Sequence, residues 1–203
     1  MPLPLDAWAL AALQSRPVYY EDVGSPDKPA QLEMLSRAMV EAAREQKGWP
    51  LSKQRLVAAE IGVGDNETHW SLRIHRNECR EHECDSTKFH GVVVQRAISV
   101  FQLHANALST PVVWPALGFM TFESTKLSAK ETARQLVRSY LYCQATKTPG
   151  DPIAQMFSAF AGRSCQLDKW PGWKARVDVY DRVLRIPVPR QAAPADSQKQ
   201  AAQ

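Results

Sequence analysis

The stretch SKQRLVAAEIGVGDNETHW, residues 52–70, decides the fold. Ser52 suits a helix N-cap, and Leu56, Ala59 and Val63 recur at helical spacing. The spacing predicts a helix that runs from Ser52 toward Glu67. Gly62 and Gly64 interrupt it, and glycine inside a helix costs about 1 kcal/mol against alanine. Two glycines so close together mean either a backbone that another element approaches closely or a fraying end. The helix ends on a carboxylate, Glu67. A second one, Glu60, stands two turns earlier on the same face.

Working outward, the N-terminal residues 1–17 read as a short helix and 18–29 as a loop. Asp27 can cap the next helix and Pro29 suits its first turn. Leu32, Leu35, Met39 and Ala42 mark that helix, and Gly48 and Pro50 end it. From 72 to 103 the helical period disappears. Its β-branched residues predict a small irregular strand region with one hairpin. Ser128 and Glu131 form a capping-box pattern, with Leu127 as a staple, ahead of a helix whose Ala133, Leu136, Val137, Tyr140 and Leu141 face inward. Asp151 and Pro152 open another helix, with Ile153, Met156, Phe157 and Phe160 inward. Pro171 opens the last one, with Trp173, Val177, Tyr180 and Leu184 inward, and Pro187 ends it. The fold class expected is α+β, predominantly helical, with a small β element. Residues 1–29 form an N-terminal arm and 30–186 one domain. Residues 187–203, nearly devoid of large apolar side chains, form a disordered tail.

Composition narrows the classes. The chain has 203 residues, 44% hydrophobic and 23% charged, which suits one domain with a real core. Its net charge of +4 suits any polyanionic neighbour and selects none. The absence of an arginine-rich run with interleaved aromatics argues against nucleic acid as a partner. No apolar run reaches bilayer length, so no membrane span is expected. The N-terminus lacks a positive leader and carries Asp6 within its apolar run, so no signal peptide is read there.

Cys79, Cys84, Cys143 and Cys165 are the four cysteines. An even count with one close pair suggests two bridges in an oxidising compartment. Of three connectivities, 79–84 with 143–165 is preferred. A zinc site drawn from His75, Cys79, His82, Cys84 and His90 is the rival reading. Its spacing is not that of paired C-x2-C knuckles, so the expectation is no metal and no cofactor.

Glu67 carries the chemical interest. Trp70 stands at i+3, which in a helix lies beside i. Burial against an aromatic raises a carboxyl pKa, as a general acid for glycosidic cleavage requires. A capping or solvated glutamate is the plainer reading of the same residue. Glu60 rivals it by position but has no aromatic at i+3.

At these residues the chain resembles lytic transglycosylases and goose-type lysozymes. The segment ETHWS, residues 67–71, is similar to their E-S-x-F motif. SVFQLH, residues 99–104, resembles their second motif, G-L-x-Q, with Ser99 in place of glycine. AFAG, residues 159–162, resembles A-Y-N-A-G, with Phe160 in place of tyrosine and no asparagine. RVDVYDR, residues 176–182, resembles the last helix of a cysteine-containing bacterial and phage branch.

The resemblance implies a lysozyme-like domain that cleaves peptidoglycan between N-acetylmuramic acid and N-acetylglucosamine. Glu67 would be the catalytic acid and then base. Gln102, Phe101, Ser99, Phe160 and Trp70 would form the substrate site. The 2-acetamido group would assist and the 6-hydroxyl attack, giving a 1,6-anhydro end. A hydrolytic variant needs a second carboxylate, for which Asp85 is the candidate. The expected setting is a phage virion-associated enzyme, with peptidoglycan and other virion proteins as partners, working in the periplasm or wall. The alternative is an inactive lysozyme-like structural protein of a virion or envelope.

Overall fold

Helix α3 (Lys53–Thr68) is buried on every face from Leu56 through Asp65. A helix with apolar or small residues all round is a core helix, and the other elements are built about this one. The computed structural model describes residues 4–76, 78–80, 86–89, 92–95, 97–104 and 122–187. Six further helices occur among them: α1 (Pro4–Gln14), α2 (Lys28–Glu45), α4 (Leu72–His75), α5 (Phe122–Thr146), α6 (Pro152–Gly162) and α7 (Trp173–Leu184). The protein is predominantly helical. Helix α3 packs on α1, α2, α5 and α7, while α2 also lies along α5 and α6 bridges α5 and α7. Strand β1 (Ser86–Phe89) pairs antiparallel with β2 (Val92–Gln95), Ser86 opposite Gln95. Strand β3 (Ala97–Ile98) pairs antiparallel with β4 (Leu103–His104).

Local signals set several boundaries. Ser52 caps α3, its hydroxyl accepting from Arg55 N. Asp151 caps α6, accepting from Ala154 N at 2.8 Å with Pro152 in the first turn. Asp27 precedes α2, yet its carboxylate makes no cap bond and instead accepts from Arg76.

Three expectations need correcting. Helix α5 starts at Phe122, six residues before the capping-box pattern. Ser128 is therefore an interior residue, 3% exposed, and its hydroxyl donates to Ser99 Oγ at 2.6 Å. Glu131 pairs with Arg134 and accepts from Gln135 instead of closing a box. On α5 Leu141, expected to face inward, is 44% exposed, whereas on α7 the expected Trp173, Val177, Tyr180 and Leu184 do pack against the core, beside the more deeply buried Val179 and Val183. Finally, α1 lies inside the segment set apart as an arm, yet Trp8, Ala9, Ala12 and Leu13 are core residues. The Trp8 indole N–H donates to Ile186 O at 3.1 Å, joining the two ends of the described chain.

The Cys143–Cys165 disulfide ties the end of α5 to the segment after α6. The bridge expected between Cys79 and Cys84 involves a residue outside those described, as do His82, His90, Asp85 and the tail from 188 onward. No helix among the described residues is long and apolar enough to cross a membrane.

Candidate active site

Glu67 lies in the last turn of α3, where the chain leaves the core. The helix stops at Thr68 because His69 and Trp70 both take left-handed backbone angles, φ 47° and 61°. Two consecutive residues there reverse the path. The i+3 relation that would set Trp70 beside Glu67 holds only in continuous helix, so that expectation fails. Trp70 instead folds back over α3. A Cβ at Gly64 would collide with its ring, so glycine is required at that crossing. The indole is 1% exposed, donates to Asp65 Oδ1 at 3.3 Å and meets Phe101 edge to face at 5.9 Å. Arg16 grips the same Asp65 carboxylate through two bonds of 3.0 Å.

The 99–102 segment is brought to the same end of α3. Thr68 Oγ1 donates to Val100 O at 2.9 Å. Ser99 takes φ 58° and Gln102 φ 50°, a region that disfavours side chains with a Cβ. Ser99 is fully buried. Its oxygen accepts from Phe101 N at 3.2 Å and from Ser128, so it holds the turn and does not face solvent. Phe101, 2% exposed, is core. Gln102 is half-buried and its side-chain amide donates to Ser99 O at 3.1 Å. It is the polar residue of this motif that reaches the surface.

The two C-terminal motifs arrive through Arg176. Its guanidinium donates to Glu67 Oε1 and to Gly172 O, the latter at 3.2 Å. It stacks over the Trp170 ring at 4.7 Å. Trp170 in turn lies against Gly162, where a Cβ would collide with it. Gly62 admits α7 itself, since a Cβ there would meet Arg176 O at 2.9 Å and Phe157 at 3.2 Å. The two interrupting glycines of α3 are thus close-approach positions, not a fraying end. Phe160 is partly buried against the core. Neither Arg176 nor Trp170 was singled out from the sequence as a site residue. Arg176 lies 109 residues from Glu67, and no local spacing connects them.

The two glutamates of α3 have opposite environments. The Glu67 side chain is 26% exposed and ion-paired. Glu60 is fully buried, neither carboxyl oxygen has a hydrogen-bond partner, and burial pushes its pKa well above the usual range. Desolvation acts where the sequence logic did not place it. Nearby, Asp22 accepts from Lys28 Nζ at 2.8 Å and from Leu72 N at 2.9 Å, and Lys28 also donates to Trp70 O. This pins the start of α4 to α2. His75 on α4 is buried, and burial, with help from Lys28 and Arg76, lowers its pKa to about 3. Among the described residues no three His, Cys, Asp or Glu side chains gather as metal ligands would.

The arrangement gathers one accessible carboxyl, a buried guanidinium on it and a side-chain amide on the adjoining turn. Such a set can exchange a proton and hydrogen-bond a polar, hydroxyl-rich substrate. Comparison with models of known families, with curated proteins and with solved structures finds no match.

Proposed function

We propose that the protein cleaves the glycan strands of peptidoglycan between N-acetylmuramic acid and N-acetylglucosamine as a lytic transglycosylase, with Glu67 as the catalytic residue. One observation carries the reading. Three of the segments that resemble the family's motifs adjoin one another at the end of α3, where Thr68 holds Val100 and Arg176 pairs with Glu67, and the fourth lies further out, with Gly162 against the Trp170 ring that Arg176 stacks on.

The mechanism proposed uses the groups present. Arg176 donates to Oε1 of Glu67, and in the proposed cycle Glu67 supplies the proton. That proton passes to the glycosidic oxygen as the C1–O bond breaks. The carbonyl oxygen of the 2-acetamido group bonds to C1 and takes up the positive charge. The 6-hydroxyl then attacks C1, displaces that oxygen and returns a proton to the Glu67 carboxylate, which closes the cycle with a 1,6-anhydro end. Gln102, half-buried beside the turn, hydrogen-bonds the sugar. Asp85, the carboxylate for a hydrolytic variant, lies outside the described residues. The setting proposed is a virion-associated enzyme delivered to the periplasm or wall, where the Cys143–Cys165 bridge persists.

The test is clearing of a suspension of purified peptidoglycan. The wild type clears it, and Glu67→Gln, which keeps size and hydrogen bonding but has no carboxylic proton, loses at least about a hundredfold in rate. A folded wild type that leaves the suspension turbid would overturn catalysis and leave the inactive structural protein as the reading.

A further inference from the structure

Between the first turns of α2 and helix α4 the surface opens into a cavity of about 150 Å³. That is far more than the roughly 10–15 Å³ one water needs. Its walls are of two kinds. Ala30, Met34 and Leu72 are apolar, while Gln31, His75 and Arg76 bring polar atoms, with Asp27 at the rim.

Gln31 is the unusual residue. It is 4% exposed, and neither its side-chain oxygen nor its nitrogen has a hydrogen-bond partner. A primary amide buried this way loses its water and gains nothing in return, which is destabilising unless something fills the need. The buried Nε–H of Arg76 also lacks a partner, while its Nη2 donates to Asp27 Oδ2 at 2.5 Å. Asp27 thus offsets the Arg76 charge. Held far below its usual pKa, His75 adds no charge at neutral pH, and its Nε2 lies 3.2 Å from Thr125 Oγ1. The cavity is close to electrically neutral and offers one donor–acceptor pair on the same planar group.

We propose that this cavity binds a small neutral molecule carrying a primary carboxamide or a ring amide held cis. Only those amides present N–H and C=O side by side on one edge. That edge pairs with both atoms of the Gln31 amide at once, N–H to oxygen and oxygen to N–H. An open-chain secondary amide is trans and points the two groups opposite ways, so it satisfies one atom and strands the other. Met34 and Leu72 then cover a short alkyl substituent. None of the lining residues belongs to the segments that meet at Glu67, and the proposal does not rest on glycan cleavage.

Titration of the isotope-labelled full chain by NMR tests it, with isobutyramide and 2-pyrrolidinone as probes. Both are expected to shift the Gln31 side-chain NH2 signals, and the backbone amides of Leu72 and Arg76, saturably at millimolar concentration. N-methylacetamide and isobutyrate should bind at least tenfold more weakly. Gln31→Met keeps the volume and removes the hydrogen bonds. It should abolish the Leu72 and Arg76 shifts while leaving the melting temperature equal or higher, because no bond is lost. Ala30→Leu, on the exposed rim of α2, should fold and block entry. Absence of a saturable shift, equal binding of N-methylacetamide, unchanged binding by Gln31→Met, or a marked loss of stability in that variant would overturn the proposal.

Discussion

Glu60 and Glu67 are the same chemical group on the same face of the same helix, two turns apart, and the fold treats them oppositely. At Glu60, α3 lies within the core formed with α1, α2, α5 and α7, and the carboxyl is sealed off without a partner. At Glu67 the helix emerges, and the carboxyl meets both solvent and Arg176. Burial of a side chain is therefore set by where its helix runs among the others, not by the residue three positions on. The contrast also separates two roles. A sealed acid cannot reach a polymer, whereas an emergent one can.

The largest expected effect breaks or upholds that separation directly. Glu67→Gln should cost at least about a hundredfold in peptidoglycan clearing, while Glu60→Gln should retain most of the rate. Reversed effects in the clearing assay would mean that the catalytic carboxyl has been misplaced.

Next comes stability against pH. The native Glu60 carboxyl holds its proton well above 4.5, the value for an unperturbed group. Between that value and its native pKa the folded protein binds a proton that the unfolded chain has released. Stability is then full below about pH 4.5 and falls as pH rises, by about 1.4 kcal/mol per unit. Glu60→Gln removes this dependence. In thermal melts the variant should match the wild type near pH 4 and gain on it steadily toward neutral pH. Parallel melting curves across that range would show that Glu60 has a compensating partner.

Smaller effects concern what keeps the two regions distinct. Gly64→Ala pushes a methyl into the Trp70 ring and should cost about 1–3 kcal/mol, the scale of overpacking, read by denaturant unfolding. An unchanged midpoint would mean that the indole moves aside freely. Arg176→Met leaves Glu67 without its guanidinium. The loss should be about 1–2 kcal/mol, below the value for a fully buried pair because Glu67 keeps solvent contact, and no change in the unfolding midpoint would show the pair to be unimportant.

The helices were largely legible in the sequence because their caps are local: Ser52, Asp151 and Pro152 act where the spacing put them. Glu67 could be located for the same reason, at the end of a helix with a readable start. The environment of that site was not legible. Arg176 and Trp170 arrive from another helix and the loop before it, and the reversal at His69 and Trp70 comes from backbone angles that no residue type there demands. The capping-box pattern at Ser128 misled because the same hydroxyl serves a tertiary bond to Ser99 within a longer helix. Gly62 and Gly64 mark a special backbone in the sequence, but only the fold shows that α7 and the Trp70 ring cross there.

The central claim is that the segments gathered at the end of α3 form a site for glycan cleavage with Glu67 as its acid. Mass spectrometry of the sugars released from purified peptidoglycan tests it most directly. The account predicts muropeptides ending in 1,6-anhydro-N-acetylmuramic acid from the wild type and from Glu60→Gln, and none from Glu67→Gln. The same anhydro products from the folded Glu67→Gln protein, or no released fragments from the folded wild type, would contradict it.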